Sequence, residues 1–114
     1  MKIAVVGLWH LGEVVSVGLA ELRHTVLAID GDKKVIDNLK KAILPLPEKD
    51  VASRVAKHLK NGSLSFSTDF GQLKDCEAIF LTHDTPVDED DEPKIASLRE
   101  STIKLARYIK NDAL

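Results

Sequence analysis

The sequence predicts an α/β fold, a mainly parallel sheet with helices on both faces. Three observations predict it. Short, continuous, β-branched apolar runs recur along the chain, as in Ile3-Ala4-Val5-Val6 and Thr25-Val26-Leu27-Ala28-Ile29, and such runs suit strands buried on both sides. Segments with apolar residues at helical spacing separate them. Helices between strands imply crossovers, and crossovers imply parallel pairing.

The elements follow in order. Lys2 to Val6 is the first strand. Leu11, Val14, Val15, Leu19 and Leu22 then recur at helical spacing. Gly18 lies on the same stripe, where a small residue would let the helix approach the sheet. Thr25 to Ile29 is the second strand. Lys33 to Lys41 is a short helix with Val35, Ile36 and Leu39 inward. Pro45 and Pro47 break it and stiffen the loop. Val51, Val55 and Leu59 mark a third helix, closed by Asn61-Gly62 as a left-handed C-cap. Leu64 to Thr68 alternates as a strand, and Asp69 caps a helical turn through Leu73. Ala78 to Thr82 is a fourth, buried strand. Ile95, Leu98, Thr102, Leu105 and Ile109 share one face of a last helix, residues 94 to 110. The expected strand order is 3-2-1-4.

Composition narrows the function classes. At 114 residues the chain has the length of one domain with a modest core. A net charge of -2 without a basic stripe argues against a nucleic-acid binder. No apolar run approaches the roughly 20 residues of a membrane span, and the N-terminal apolar run is too short for a signal peptide. The single cysteine, Cys76, cannot close an internal disulfide, so a reducing cytoplasm is the expected compartment.

The candidate site is the turn Gly7-Leu8-Trp9-His10-Leu11-Gly12, directly after the first strand. It has two of the three glycines of a Rossmann-like dinucleotide fingerprint. Gly7 would allow the tight exit from the strand, and Gly12 close packing of helix on strand. Amides at the helix start, helped by the helix dipole, would hold phosphate. Trp9 stands where the middle glycine would let pyrophosphate approach. Its ring either points away and leaves the amides available, or fills the phosphate site. Asp30, at the tip of the second strand, can accept from a ribose diol and would repel a 2′-phosphate, favouring NAD over NADP. Its alternative role is a helix N-cap, for which Asp32 competes. His10 either donates to a phosphate oxygen or stacks on Trp9.

From Met1 to about Ile109 the chain resembles the NAD-binding domain of the UDP-glucose/GDP-mannose dehydrogenase family. The resemblance rests on motifs in order. Gly7 to Gly12 is followed by Glu21, His24 and Val26, similar to a Glu-x-Gly-His-x-Val turn. Asp30-Gly31-Asp32 resembles its Asp-x-Asp, and Pro45-Leu46-Pro47-Glu48 its Pro-Ile-x-Glu. Leu64-Ser65-Phe66-Ser67-Thr68-Asp69 resembles its Leu-x-Phe-Thr-Thr-Asp strand. Ala78-Ile79-Phe80-Leu81 leads to Thr85-Pro86 and an acidic loop, as in the family. Departures are Trp9-His10 for Gly-Tyr, Arg23 for a glycine, Val35 for a lysine, Lys49-Asp50 for Pro-Gly, Asp91 for a glycine and Lys94 for an acid; His83-Asp84 ahead of Thr85 is also unusual.

The resemblance implies oxidation of the C6 alcohol of a nucleotide sugar, of the UDP-glucose 6-dehydrogenase kind that serves polysaccharide biosynthesis, with NAD as hydride acceptor. It implies that Gly7, Leu8, Trp9, His10, Leu11 and Gly12 face the pyrophosphate, Asp30 the adenosine ribose, and Thr85 and Pro86 the cofactor at the end of the fourth strand. The family's thiol nucleophile lies far downstream. The chain is therefore expected to be a cofactor-binding portion, residues 1–114, truncated after one half-unit plus a strand and helix, and inactive alone. The competing reading is a non-catalytic Rossmann-like module for protein contacts, its phosphate turn blocked by Trp9.

Other constellations carry less. Cys76 precedes a buried strand and reads as structural. His83 and Asp84 form either an acid–base pair or an ordinary loop. The acids from Asp88 to Glu92 lack the spaced ligands of a calcium loop, and no zinc spacing is present. Strand 78–82, as an unpaired edge, or the apolar face of the last helix, would recruit a second copy.

Overall fold

Each apolar run becomes a parallel strand: β1 (Lys2–Val6), β2 (Thr25–Ile29), β3 (Leu64–Ser67) and β4 (Ala78–Leu81). The computed structural model describes residues 1–44 and 49–82, with Ile103, Ala106, Tyr108 and Ile109 beyond them. The sheet order is β3-β2-β1-β4, as expected. The register pairs Val6 with Ile29 on one side and with Leu81 on the other, which brings three strand ends level. Both β3 and β4 stop one residue short of the predicted span.

Helices α1 (His10–Glu21), α2 (Lys33–Leu39) and α3 (Lys49–Asn61) connect β1 to β2 and β2 to β3. Their buried residues join Val5, Val26, Ala28, Leu64 and Phe66 in one core layer. The chain then crosses back past β1, and right-handed connections require the opposite face. There the 3-10 helix Phe70–Asp75 adds Leu73, followed by Cys76, to Ala4, Val6, Leu27 and Ile29. Ile109 packs on this second layer, so both faces are covered. The chain reverses direction between β1 and β4, the switch point where ligands of open α/β sheets bind.

Caps are local. Asp32 accepts from the Lys34 and Val35 amides and so starts α2. Asp69 accepts from the Gly71 amide at 2.9 Å and caps the 3-10 helix as expected. Gly62 ends α3 at φ 84°, the left-handed conformation its position predicts.

Two expectations fail. The stripe Leu11, Val14, Val15, Leu19 and Leu22 faces the core only in part: Val15 and Leu19 pack against it, whereas Leu11, Val14 and Leu22 are 53%, 41% and 69% exposed. The buried face of α1 is Gly12, Glu13, Ser16, Val17 and Ala20. Gly18 is exposed, and a Cβ there would meet nothing within 4 Å, so it brings nothing closer to the sheet. The approach is made by Gly12, and that one contact sets the helix azimuth against the apolar stripe. Nor is β4 fully buried. Phe80 and Leu81 are exposed, because the outer side of β4 has no neighbour among the described strands.

Candidate functional site

The turn after β1 is built backbone first. Gly7 has φ 95°, a conformation that costs other residues strain. Its N–H donates to the Ile29 carbonyl at 3.0 Å, tying the turn to the end of β2. A Cβ on Gly12 would fall on the Gly7 carbonyl oxygen and lie 2.9 Å from Thr82 Oγ1. Gly12 therefore has to be glycine for α1 to leave the turn at this angle, the packing job its place in the fingerprint implies.

Side chains of the turn point two ways. Leu8 is buried, whereas Trp9 is 48% exposed. The indole is thus no part of the core. Trp9 is the N-cap of α1, with φ -92° and ψ -161°, and its own side chain makes no capping hydrogen bond. The first bond of the helix ladder is Glu13 N–H to the Trp9 carbonyl. The amides of Trp9, His10, Leu11 and Gly12 therefore belong to the first turn of the helix, where backbone N–H groups can hold an anion. The His10 side chain lies outside the described ones.

Asp30 sits half-buried at the tip of β2. Its Oδ2 accepts from the Leu8 amide at 2.8 Å and its Oδ1 from the Asp32 amide at 2.9 Å. Asp32, not Asp30, caps α2. The Leu8 amide is thereby committed to the Asp30 carboxylate. A carboxylate has about four acceptor positions, so two remain for a diol. Val35, where the family has a lysine, packs against the core.

Three further residues belong to this corner and escaped the sequence reading. Thr82, only 6% exposed, donates its hydroxyl to the Gly7 carbonyl at 2.7 Å. Ser16 donates to the Gly12 carbonyl at 2.7 Å. Glu13 is 2% exposed in the first turn of α1, where the helix dipole favours a carboxylate. An acid in a first helical turn and a hydroxyl at a strand end were the available signals. Thr85 and Pro86, with His83, Asp84, the acidic run and Pro45 to Glu48, lie outside the described residues.

A second polar group needs separating from the site. Buried His58 has Nδ1 2.9 Å from Ser63 Oγ and Nε2 3.1 Å from Glu21 Oε1. The row looks like a hydrolase triad but cannot act as one, since Ser63 Oγ donates to Asn61 Oδ1 at 2.6 Å. It also lies at the opposite end of the sheet, before β3. The Glu21 contact is too oblique for a full hydrogen bond and acts chiefly as a charge pair when His58 is protonated. The His58 contact, with Lys57 and Arg54 nearby, holds the Glu21 carboxyl below the usual 4.5. Cys76 is buried with Sγ 3.8 Å from the Gln72 carbonyl, the structural role expected. Among the described residues no group of three metal-ligating side chains converges, and no helix is long and apolar enough to cross a membrane.

With this geometry in place, comparison with known proteins is specific. Residues 1–114 match the UDP-glucose/GDP-mannose dehydrogenase family, NAD binding domain. The UDP-glucose 6-dehydrogenase YwqF of Bacillus subtilis is 30% identical over 115 residues, covering 100% of this chain and 26% of that protein. A UDP-glucose 6-dehydrogenase of Rickettsia bellii shows the same identity and coverage, 30%, 100% and 26%. Among solved structures, a UDP-D-ManNAc dehydrogenase from Pyrococcus horikoshii superposes with a TM-score of 0.91 at 24% identity, over 100% of this chain and 27% of that one. A GDP-mannose dehydrogenase from Pseudomonas aeruginosa gives 0.89 at 22%, over 97% and 26%. The chain thus spans about a quarter of the length of the curated relatives it matches.

Proposed function

The chain belongs to the UDP-glucose/GDP-mannose dehydrogenase family, and on that premise we propose that it is the NAD-binding portion of a nucleotide-sugar 6-dehydrogenase. The observation that carries this reading is the start of α1 packed against the turn through Gly7 and Gly12, with the Asp30 carboxylate at the neighbouring strand tip. The amides of Trp9, His10 and Leu11 would take the diphosphate, and Asp30 the adenosine ribose diol. The same carboxylate disfavours a 2′-phosphate, hence NAD rather than NADP. Trp9, in the same turn, is half-exposed. We assign Thr85 and Pro86 to the cofactor on the family resemblance alone. NAD, when bound, supplies the hydride acceptor. The protein's part is to bind it, orient it and offset its charge.

Residues 1–114 hold the adenosine side of the site, and the second βαβ unit of such folds normally completes the nicotinamide side. The chain alone should oxidise no UDP-glucose. We place it in the cytoplasm, where a thiol such as Cys76 stays reduced, and propose that the β4 edge pairs with a second copy.

Trp9 is the sole tryptophan, so it reports on its own site. Titration with NAD should change its emission and raise the melting temperature by mass action. Unchanged emission and melting at saturating NAD would sink the binding reading and favour a protein-contact module. NADH formation from UDP-glucose by the purified chain would contradict its assignment as non-catalytic.

A further inference from the structure

One peptide of the turn is gripped from both sides. The carbonyl of Gly7 accepts from Thr82 Oγ1 at 2.7 Å, and the N–H of Leu8 donates to Asp30 Oδ2 at 2.8 Å. Thr82 follows β4 and Asp30 follows β2, the two strands that flank β1. Resting on the reading of this turn as a diphosphate site, we propose that Thr82 is a positioning residue for it. Its hydroxyl sets the plane of the Gly7–Leu8 peptide, and thereby the direction of the amides that follow.

The geometry leaves that hydroxyl one main task. Its other acceptor, the Val6 carbonyl at 3.0 Å, already receives the Thr82 N–H at 2.8 Å. The single hydroxyl hydrogen is then best used on Gly7. Glycine is the residue least able to hold its own conformation, and Gly7 stands at φ 95°, so an outside hold is needed there. Thr82 also shares its space with Gly12, whose missing Cβ would come within 2.9 Å of the hydroxyl oxygen. Gly7, Gly12 and Thr82 therefore close one tight corner, in which Ser16 holds the Gly12 carbonyl and Thr82 is the only side chain that donates to the Gly7 carbonyl among the described hydrogen bonds. The contact is also shielded, since Thr82 is 6% exposed.

The test compares T82V, T82A and T82S with the wild-type chain, titrated with NAD, ADP and adenosine by amide NMR. Val keeps the shape of Thr without the hydroxyl, Ala removes the bulk as well, and Ser keeps the donor. T82V and T82A should weaken NAD and ADP roughly three- to tenfold, the range a lost hydrogen bond implies. Adenosine, which has no diphosphate, should bind each variant as it binds wild type, and T82S should keep most of the NAD affinity. A merely structural role would weaken all three ligands together. Wild-type NAD affinity in T82V and T82A, or T82S as weak as they are, overturns the role of Thr82 alone. A wild-type chain indifferent to both NAD and ADP overturns the diphosphate site itself, and with it the task assigned to Thr82.

Discussion

Arg23 stands at φ 69°, in the left-handed region that suits glycine. The reason is the end of α1. The Arg23 amide bonds to the Ala20 carbonyl and the His24 amide to the Leu19 carbonyl, the paired bonds of a Schellman motif. Ala42, at φ 58°, repeats the pattern after α2 through the Ala42–Leu39 and Ile43–Asn38 bonds. The family resemblance puts a glycine at position 23, and the backbone explains why. R23G should relieve about 1 kcal/mol of strain, part of it offset by greater freedom of the unfolded chain. Chemical denaturation should show a net gain of about 0.5 kcal/mol or more, and a loss would contradict the strain argument. Glu21 makes a pH prediction. Its carboxyl is held below 4.5 by the His58 contact first, then by Lys57 and Arg54. A lowered folded pKa stabilises above the unfolded value and is lost as pH falls through the folded one. Melting curves between pH 6 and 3 should therefore decline less steeply in E21Q than in wild type. Because the Glu21 carboxyl is exposed, the effect is small.

At the scale of the element, α1 is the instructive case. Its apolar stripe reaches the core only through Val15 and Leu19, and the fully buried face is another, because Gly12 touches the Gly7 carbonyl and no larger residue could. The two glycines of this helix should respond oppositely. G18A adds a methyl to open space at a helical position, and should stabilise by about 0.5–1 kcal/mol. G12A forces the turn open, and should destabilise by about 3 kcal/mol or more while weakening NAD. Equal effects of the two substitutions in thermal melts would refute this placement of α1. Leu11, Val14 and Leu22 stay in solvent as a result, and Val14 and Gly18 line an open groove of about 390 Å3 with Val17, Asp50, Val51 and Arg54.

At the scale of the whole molecule, β4 decides behaviour. It is the outermost of the described strands on its side, and Phe80 and Leu81 expose apolar surface on opposite faces of it. Such an edge templates pairing with another strand. Ile109 packs on the second core layer, and we propose the strand edge as the surface for association. Sedimentation at rising concentration should show species heavier than 12.5 kDa, and F80K with L81K should return the monomer. A strictly monomeric wild type would refute edge pairing. The four strands, their order and the glycine turn were legible because each is written locally: a buried strand needs a continuous apolar run, and a tight strand-to-helix exit needs glycine. Asp69 and Gly62 were legible for the same reason. Thr82 was not, since its hydroxyl matters only across 75 residues of chain, at the carbonyl of Gly7. Glu13 and Ser16 were hidden because polar residues signal an outer face unless a contact elsewhere turns the helix. Sequence alone thus determined the parallel α/β class and the glycine turn after the first strand, through propensities acting within a few residues. Tertiary structure decided which face of α1 is buried and what holds the turn, because both depend on backbone atoms that meet only after β1, β2 and β4 have come into register.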